Sequence, residues 1–171
     1  SSSDINKENK TFSMTFDIVD KYYNSGKFDH IIKYFEQKFD TPFDFYYELG
    51  MFFENKGYFN KNIGNIEYYK VFLDFAEEVL KENSKTVNEI VKFNYLLYYK
   101  NRGLPDFLRS NLTKEEEKQI KVDLRERYSF KEYHIEKFNI DLDKYVENGS
   151  IEEKISCYLF DSHGTYINVG I

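Results

Sequence analysis

The stretch from Thr86 to Leu108, TVNEIVKFNYLLYYKNRGLPDFL, restricts the folds open to this chain more than any other. It opens on a capping-box pattern: Thr86 can accept from the backbone N–H of Glu89, whose carboxylate can accept from that of Thr86. It closes on Gly103, suited to the left-handed turn after a helix, and Pro105 blocks continuation. Between these marks Ile90, Val91, Phe93, Tyr95, Leu96, Leu97, Tyr98 and Tyr99 cover nearly the whole circumference. A helix that is apolar all round belongs inside a protein. At about 1.5 Å per residue it runs roughly 24 Å, enough to cross a small domain. The expected fold is therefore mainly α, with this helix at the centre of a bundle.

The chain before it reads as four shorter helices. Phe12, Phe16, Val19 and Tyr23 recur at spacings of four, three and four, one helical stripe that ends at Asn24-Ser25-Gly26. Phe28, Ile31, Ile32, Phe35 and Phe39 repeat the pattern after almost no loop, which implies antiparallel neighbours. Thr41 as cap and Pro42 at the first position open a third helix, with Asp44 at its positive end; Phe45, Leu49, Phe52 and Phe53 form its buried side and Gly57 its stop. Asn65 is the expected cap of a fourth, whose stripe is Tyr69, Phe72, Leu73, Ala76, Val79 and Leu80.

Beyond Pro105 the pattern changes. Thr113 and Glu116 form a second capping box, opening a polar surface helix to about Arg127 in which Ile120, Leu124 and Val122 are the available contacts. Tyr133, Ile135, Phe138 and Ile140 alternate with polar residues after a one-residue slip near Lys137, the pattern of a strand with a bulge. Residues 154–160 and 166–169 read as two strands joined by a hairpin loop at Asp161-Ser162-His163-Gly164. The whole is a bundle of five or six helices over 11–128 with a small C-terminal antiparallel β appendage over 131–171. Together they make one domain, 11–171, behind a polar lead, 1–10, expected to lack structure.

Composition narrows the function classes. A single cysteine, Cys157, excludes an internal disulfide and any multi-cysteine cluster held by this chain alone, and fits a reducing, cytoplasmic setting. No apolar run approaches the roughly 18 residues of a membrane span. The net charge of −6, with Lys and Glu interspersed, argues against nucleic acid as a partner. The first residue is Ser1 rather than Met, so the chain is expected to be processed or cut from something longer.

The usual catalytic signatures are missing. His30, His134 and His163 have no second His or Cys at metal-ligand spacing. Cys157, alternating with Ile155 and Leu159 in a strand, reads as a buried structural thiol rather than a nucleophile. There is no glycine-rich phosphate loop and no Gly-x-Ser-x-Gly elbow, and Glu115, Glu116 and Glu117 are explained by the positive end of their helix. Asp161-Ser162-His163 begins an Asp-x-His-x-x-Gly cobalamin signature, but position 166 is Tyr rather than Gly. No catalytic, cofactor-binding or metal-ligating residue is therefore assigned.

Taken in order, several short motifs form a series: Tyr23-Asn24-Ser25-Gly26 with Phe28, Thr41-Pro42-Phe43 with Phe45, Phe93-Asn94-Tyr95-Leu96, Leu104-Pro105, and Leu159-Phe160-Asp161. The series resembles the uncharacterised helical C-terminal domain of cobalamin-binding radical SAM proteins, from about Thr11 to the end. It departs from that pattern at Asn94, where an acid is expected. The resemblance implies a parent enzyme that binds a [4Fe-4S] cluster through a Cys-x-x-x-Cys-x-x-Cys loop, cleaves S-adenosylmethionine and uses cobalamin. None of that machinery is in this chain, which holds no cofactor of its own on this reading. It would be an accessory domain packing on the radical SAM barrel of the same polypeptide or helping to hold substrate. The alternatives are an independent helical interaction module with an exposed aromatic groove, and a small enzyme of unrecognised type. A domain cut from a barrel should expose an apolar docking face. The candidate residues for it are Arg102, Leu104, Pro105, Phe107 and Leu108, unless the three apolar side chains fold under and close the bundle.

Overall fold

The computed structural model describes residues 2–82, 84–99, 103–129 and 133–170. Among them the order is α1 (Ser2–Ile18), a π-helical turn (Val19–Tyr23), α2 (Asp29–Glu36), α3 (Pro42–Lys56), a 3-10 turn (Tyr58–Asn60), α4 (Glu67–Glu78), α5 (Ser84–Tyr98), α6 (Lys114–Arg125), β1 (Tyr133–Ile140), α7 (Leu142–Asn148), β2 (Glu153–Asp161) and β3 (Tyr166–Gly170). The protein is mainly α with a small three-stranded antiparallel sheet at its C-terminal end, as its sequence implies. It divides into two compact units, residues 1–91 and 92–171, and the division falls inside α5.

Local chemistry sets several helix ends. Thr41 Oγ1 accepts from the Asp44 N–H at 3.1 Å, Pro42 occupies the first turn, and Gly57 ends α3 with φ +71°, a conformation that costs other residues steric strain. At α6 the capping box is complete: Thr113 Oγ1 accepts from the Glu116 N–H at 3.1 Å and Glu116 Oε1 from the Thr113 N–H at 3.2 Å. Three expectations differ. α1 runs through the polar residues from Ser2, all exposed up to Lys10, with Asp4 in its first turn and Lys10 paired to Glu54 at 2.9 Å. α4 starts after Ile66 without a side-chain cap, so Asn65 does not play that role. α5 begins at Ser84 and ends at Tyr98, which places Thr86 and Glu89 within the helix and Gly103 five residues beyond it.

The core of residues 1–91 is aromatic. Phe35, fully buried, stacks on Phe45 at 5.7 Å and on Phe72 at 5.5 Å, and meets Phe75 edge-on at 5.5 Å. Tyr22, delivered inward by the π-helical turn, is ringed by Phe28, Phe53, Tyr68 and Phe72 and donates its hydroxyl to Tyr68 O at 3.2 Å. Such pairs add to area burial through ring electrostatics. On α4 the buried set is Tyr69, Val71, Phe72, Phe75 and Ala76, while Val79 is exposed; the inward stripe is turned from the one its spacing suggests.

In residues 92–171 the sheet runs β1-β2-β3, with β2 in the middle. Both of its faces are covered. On one, Ile135, Cys157 and Leu159 pack with Leu124 of α6 and the partly buried Ile120, while Val122 stays exposed. On the other, Phe138, Phe160 and Tyr166 surround Phe93 of α5 at ring distances of 6.3, 6.0 and 5.1 Å. This explains the slip in the sequence pattern: Ile135 and Phe138 face opposite sides, and the register shift lies between Phe138 and Ile140, not at Lys137. Phe93 is wholly inaccessible and Leu97 is 7% exposed. Phe93→Ala should therefore cost about 3–5 kcal/mol in urea unfolding, the usual range for truncating a buried aromatic.

Candidate docking surface

Helix α1 carries two apolar stripes. Met14, Ile18 and Tyr22, four residues apart, are buried along with Thr15. Here α1 packs closely on α3: a Cβ added at Gly50 would lie in van der Waals contact, 3.8 Å, with the main chain of Met14 and Thr15. The other stripe, containing the Phe12, Phe16, Val19 and Tyr23 expected in the core, faces outward. Phe12 is 55%, Phe16 70% and Tyr23 59% exposed, with Ile5 at 58% one heptad before Phe12. Both stripes have helical spacing, so spacing alone does not say which of them packs on α3.

Beside this stripe lies a groove of about 510 Å³ lined by Lys7, Glu8, Thr11, Phe12, Thr15, Phe43 and Tyr47. Phe12 packs on Phe43 at 6.5 Å, and Phe43 and Tyr47 continue the aromatic wall at 6.4 Å. Phe43 is itself 51% exposed. The sequence contained the signal for this surface, since the stripe is legible; its direction was not.

The segment expected to dock is placed differently. Arg102 lies outside the described residues. Leu104, Pro105 and Phe107 are half-buried, and Leu108 is 1% exposed, so Leu108 offers no surface. The next residues are held from within residues 92–171. The buried Lys92 ammonium donates to Arg109 O at 3.0 Å; Glu136 Oε1 accepts from Ser110 Oγ at 3.1 Å and from the Asn111 N–H at 2.9 Å; Asn111 Nδ2 donates to Lys137 O at 2.8 Å. These bonds close the loop onto β1. Accordingly, Leu108→Ala should cost about 2–5 kcal/mol in chemical denaturation, whereas Phe16→Ser should stay within about 0.5 kcal/mol of the parent.

Among the described residues the titratable groups give no convergent reactive set. Burial pushes the Cys157 thiol up, away from the thiolate a nucleophile needs. Among the described residues no group of three or more His, Cys, Asp or Glu is placed to hold a metal ion. Asp161 serves its own hairpin, accepting from the Thr165 hydroxyl, from the His163 N–H at 2.8 Å and from the Thr165 N–H at 3.0 Å, and these bonds hold its carboxyl low. His134 is held below the ordinary imidazole range by burial, against the opposing pull of Glu136 and Glu117. Because its folded pKa is depressed, the unfolded chain binds more protons near pH 6.5. The stability involved is complete above that value and lost as pH falls through it. Thermal melts between about pH 7.5 and 5.5 should show a decline that His134→Gln reduces.

No helix among the described residues is long and apolar enough to cross a membrane. Residues 12–160 match the family described as "Protein of unknown function (DUF4080)". No curated protein and no solved structure matches the chain. The match covers most of the sequence, and the chain belongs to this family.

Proposed function

We propose that this DUF4080 protein is a non-catalytic accessory domain of a cobalamin-binding radical SAM enzyme, docking on the barrel of the same polypeptide in the cytoplasm. The observation that carries the docking half is the outward stripe of α1, with Phe16 at 70% exposure beside an aromatic groove. Apolar surface of this kind is costly to leave in water and marks a site of association. The assignment of the partner rests on the motif series running from Tyr23 to Asp161. On this reading the [4Fe-4S] cluster, S-adenosylmethionine and cobalamin are bound by the parent's other domains. The one buried thiol here, Cys157, cannot form a three-cysteine loop. Neither nucleic acid nor a membrane is a partner. The groove lined by Phe12, Phe43 and Tyr47 also favours a second reading, an independent helical module that uses the same face to hold another protein.

Sequencing the gene upstream of the Ser1 codon separates the two. An in-frame Cys-x-x-x-Cys-x-x-Cys loop is the expected result. An initiation codon immediately before Ser1, with an in-frame stop ahead of it, would sink the accessory reading and leave the independent module.

A further inference from the structure

The outward stripe extends beyond its four aromatic and aliphatic members. Ile5, Asn9, Phe12, Phe16, Val19 and Tyr23 follow one another at spacings of four, three, four, three and four. That is the spacing of a coiled-coil seam, in which a neighbouring helix seats its side chains between successive positions. A strand would instead engage every second residue. The regular α-helical part ends at Ile18, so the usable seam runs from Ile5 to Phe16, about 17 Å or three turns. The groove beside it widens the site, and Phe12, Phe43 and Tyr47, packed ring against ring, give an incoming side chain one aromatic wall to lie on.

Charge defines the occupant further. Residues 1–91 carry 16 Asp and Glu against 11 Lys. Around the aromatic face, Glu8 lines the groove, Asp17 follows Phe16, Asp44 follows Phe43 and Glu48 follows Tyr47. Of the two lysines on this part of α1, Lys10 is engaged by Glu54, leaving Lys7 against four carboxylates. We propose that the Ile5–Phe16 seam and its groove receive a basic amphipathic α-helix, with apolar residues at three- and four-residue spacing flanked by lysine or arginine. A second copy of α1 fits less well: antiparallel pairing with Ile5 opposite Phe16 sets no lysine against a carboxylate and puts Asp4 against Asp17. The inference does not depend on the helix belonging to the same polypeptide, so its failure and that of the accessory reading are separate results.

The test uses the 171-residue chain and two synthetic three-heptad peptides with leucine at the seam positions. One is flanked by lysine and the other by glutamate, and like charges keep each peptide monomeric. Fluorescence anisotropy should show the lysine peptide binding at least about tenfold more tightly than the glutamate peptide, with the difference shrinking as salt is raised. Phe12→Ser/Phe16→Ser, which alters only exposed side chains and should keep the parent's circular dichroism, should weaken that binding by at least about tenfold. Equal binding of the two peptides, no binding of either, or undiminished binding by the variant would each overturn the proposal. So would a peptide-free dimer in sedimentation that the variant converts to monomer, since the face would then belong to a second copy.

Discussion

Lys92 sets the terms for residues 92–171. Its side chain is 1% exposed on a helix that has no water-facing side between Val91 and Leu97, and an ammonium taken out of water is costly unless its protons are used. Its Nζ donates to Arg109 O and lies 5.4 Å from the Phe138 ring centre, so the charge is met by a carbonyl and by the negative face of an aromatic ring. Glu136, also inaccessible, is served on one oxygen: its Oε1 collects the Ser110 hydroxyl and the N–H groups of Asn111 and Lys137, while Oε2 meets no donor among the described residues. A cation from α5 and a carboxylate from β1 thus fix three consecutive residues, Arg109 to Asn111, of the connection into α6. An irregular segment with buried polar partners is held by them as firmly as a helix is by its ladder.

That anchoring bears on where the protein can meet a partner. The connection after Pro105 has apolar residues, but Leu108 is inside and the following backbone is pinned. In residues 1–91, on α1 and the start of α3, large rings stand in solvent without a polar bond to hold them. The inward rings of those residues satisfy one another, Phe35 against Phe45, Phe72 and Phe75. Phe12 and Phe43 have mainly each other. A chain this rich in aromatics fills its core and has rings to spare, and Phe12, Phe16 and Phe43 are three of them on α1 and the start of α3. Contiguity is what makes it a surface for association.

Much of the fold was legible because it is local. Thr41 with Pro42, Thr113 with Glu116, and Gly57 act within a few residues of themselves, so their positions in the sequence give helix ends directly. The burial of α5, the stripe Phe28 to Phe35 and the hairpin around Asp161 follow from composition and period in the same way. The Thr86 pattern failed for a related reason: a capping box is only a local option, and α5 started two residues earlier.

What the sequence by itself determined, then, is where most helices lie, though not the Ser2–Lys10 part of α1, and that the C-terminal end turns to antiparallel strands. Only the tertiary structure decided which of the two stripes on α1 turns inward, because periodicity defines a face relative to its own helix axis and says nothing of what covers it. The inward stripe is the one packed on α3, some 35 residues away, where Gly50 approaches the main chain of Met14. The sheet is a parallel case: Ile135 and Phe138 read as a slip in one strand until α6 and Phe93 are seen on opposite faces. Likewise Lys92 and Glu136 look like ordinary charged residues in sequence, and their burial arises from contacts that long-range packing alone creates.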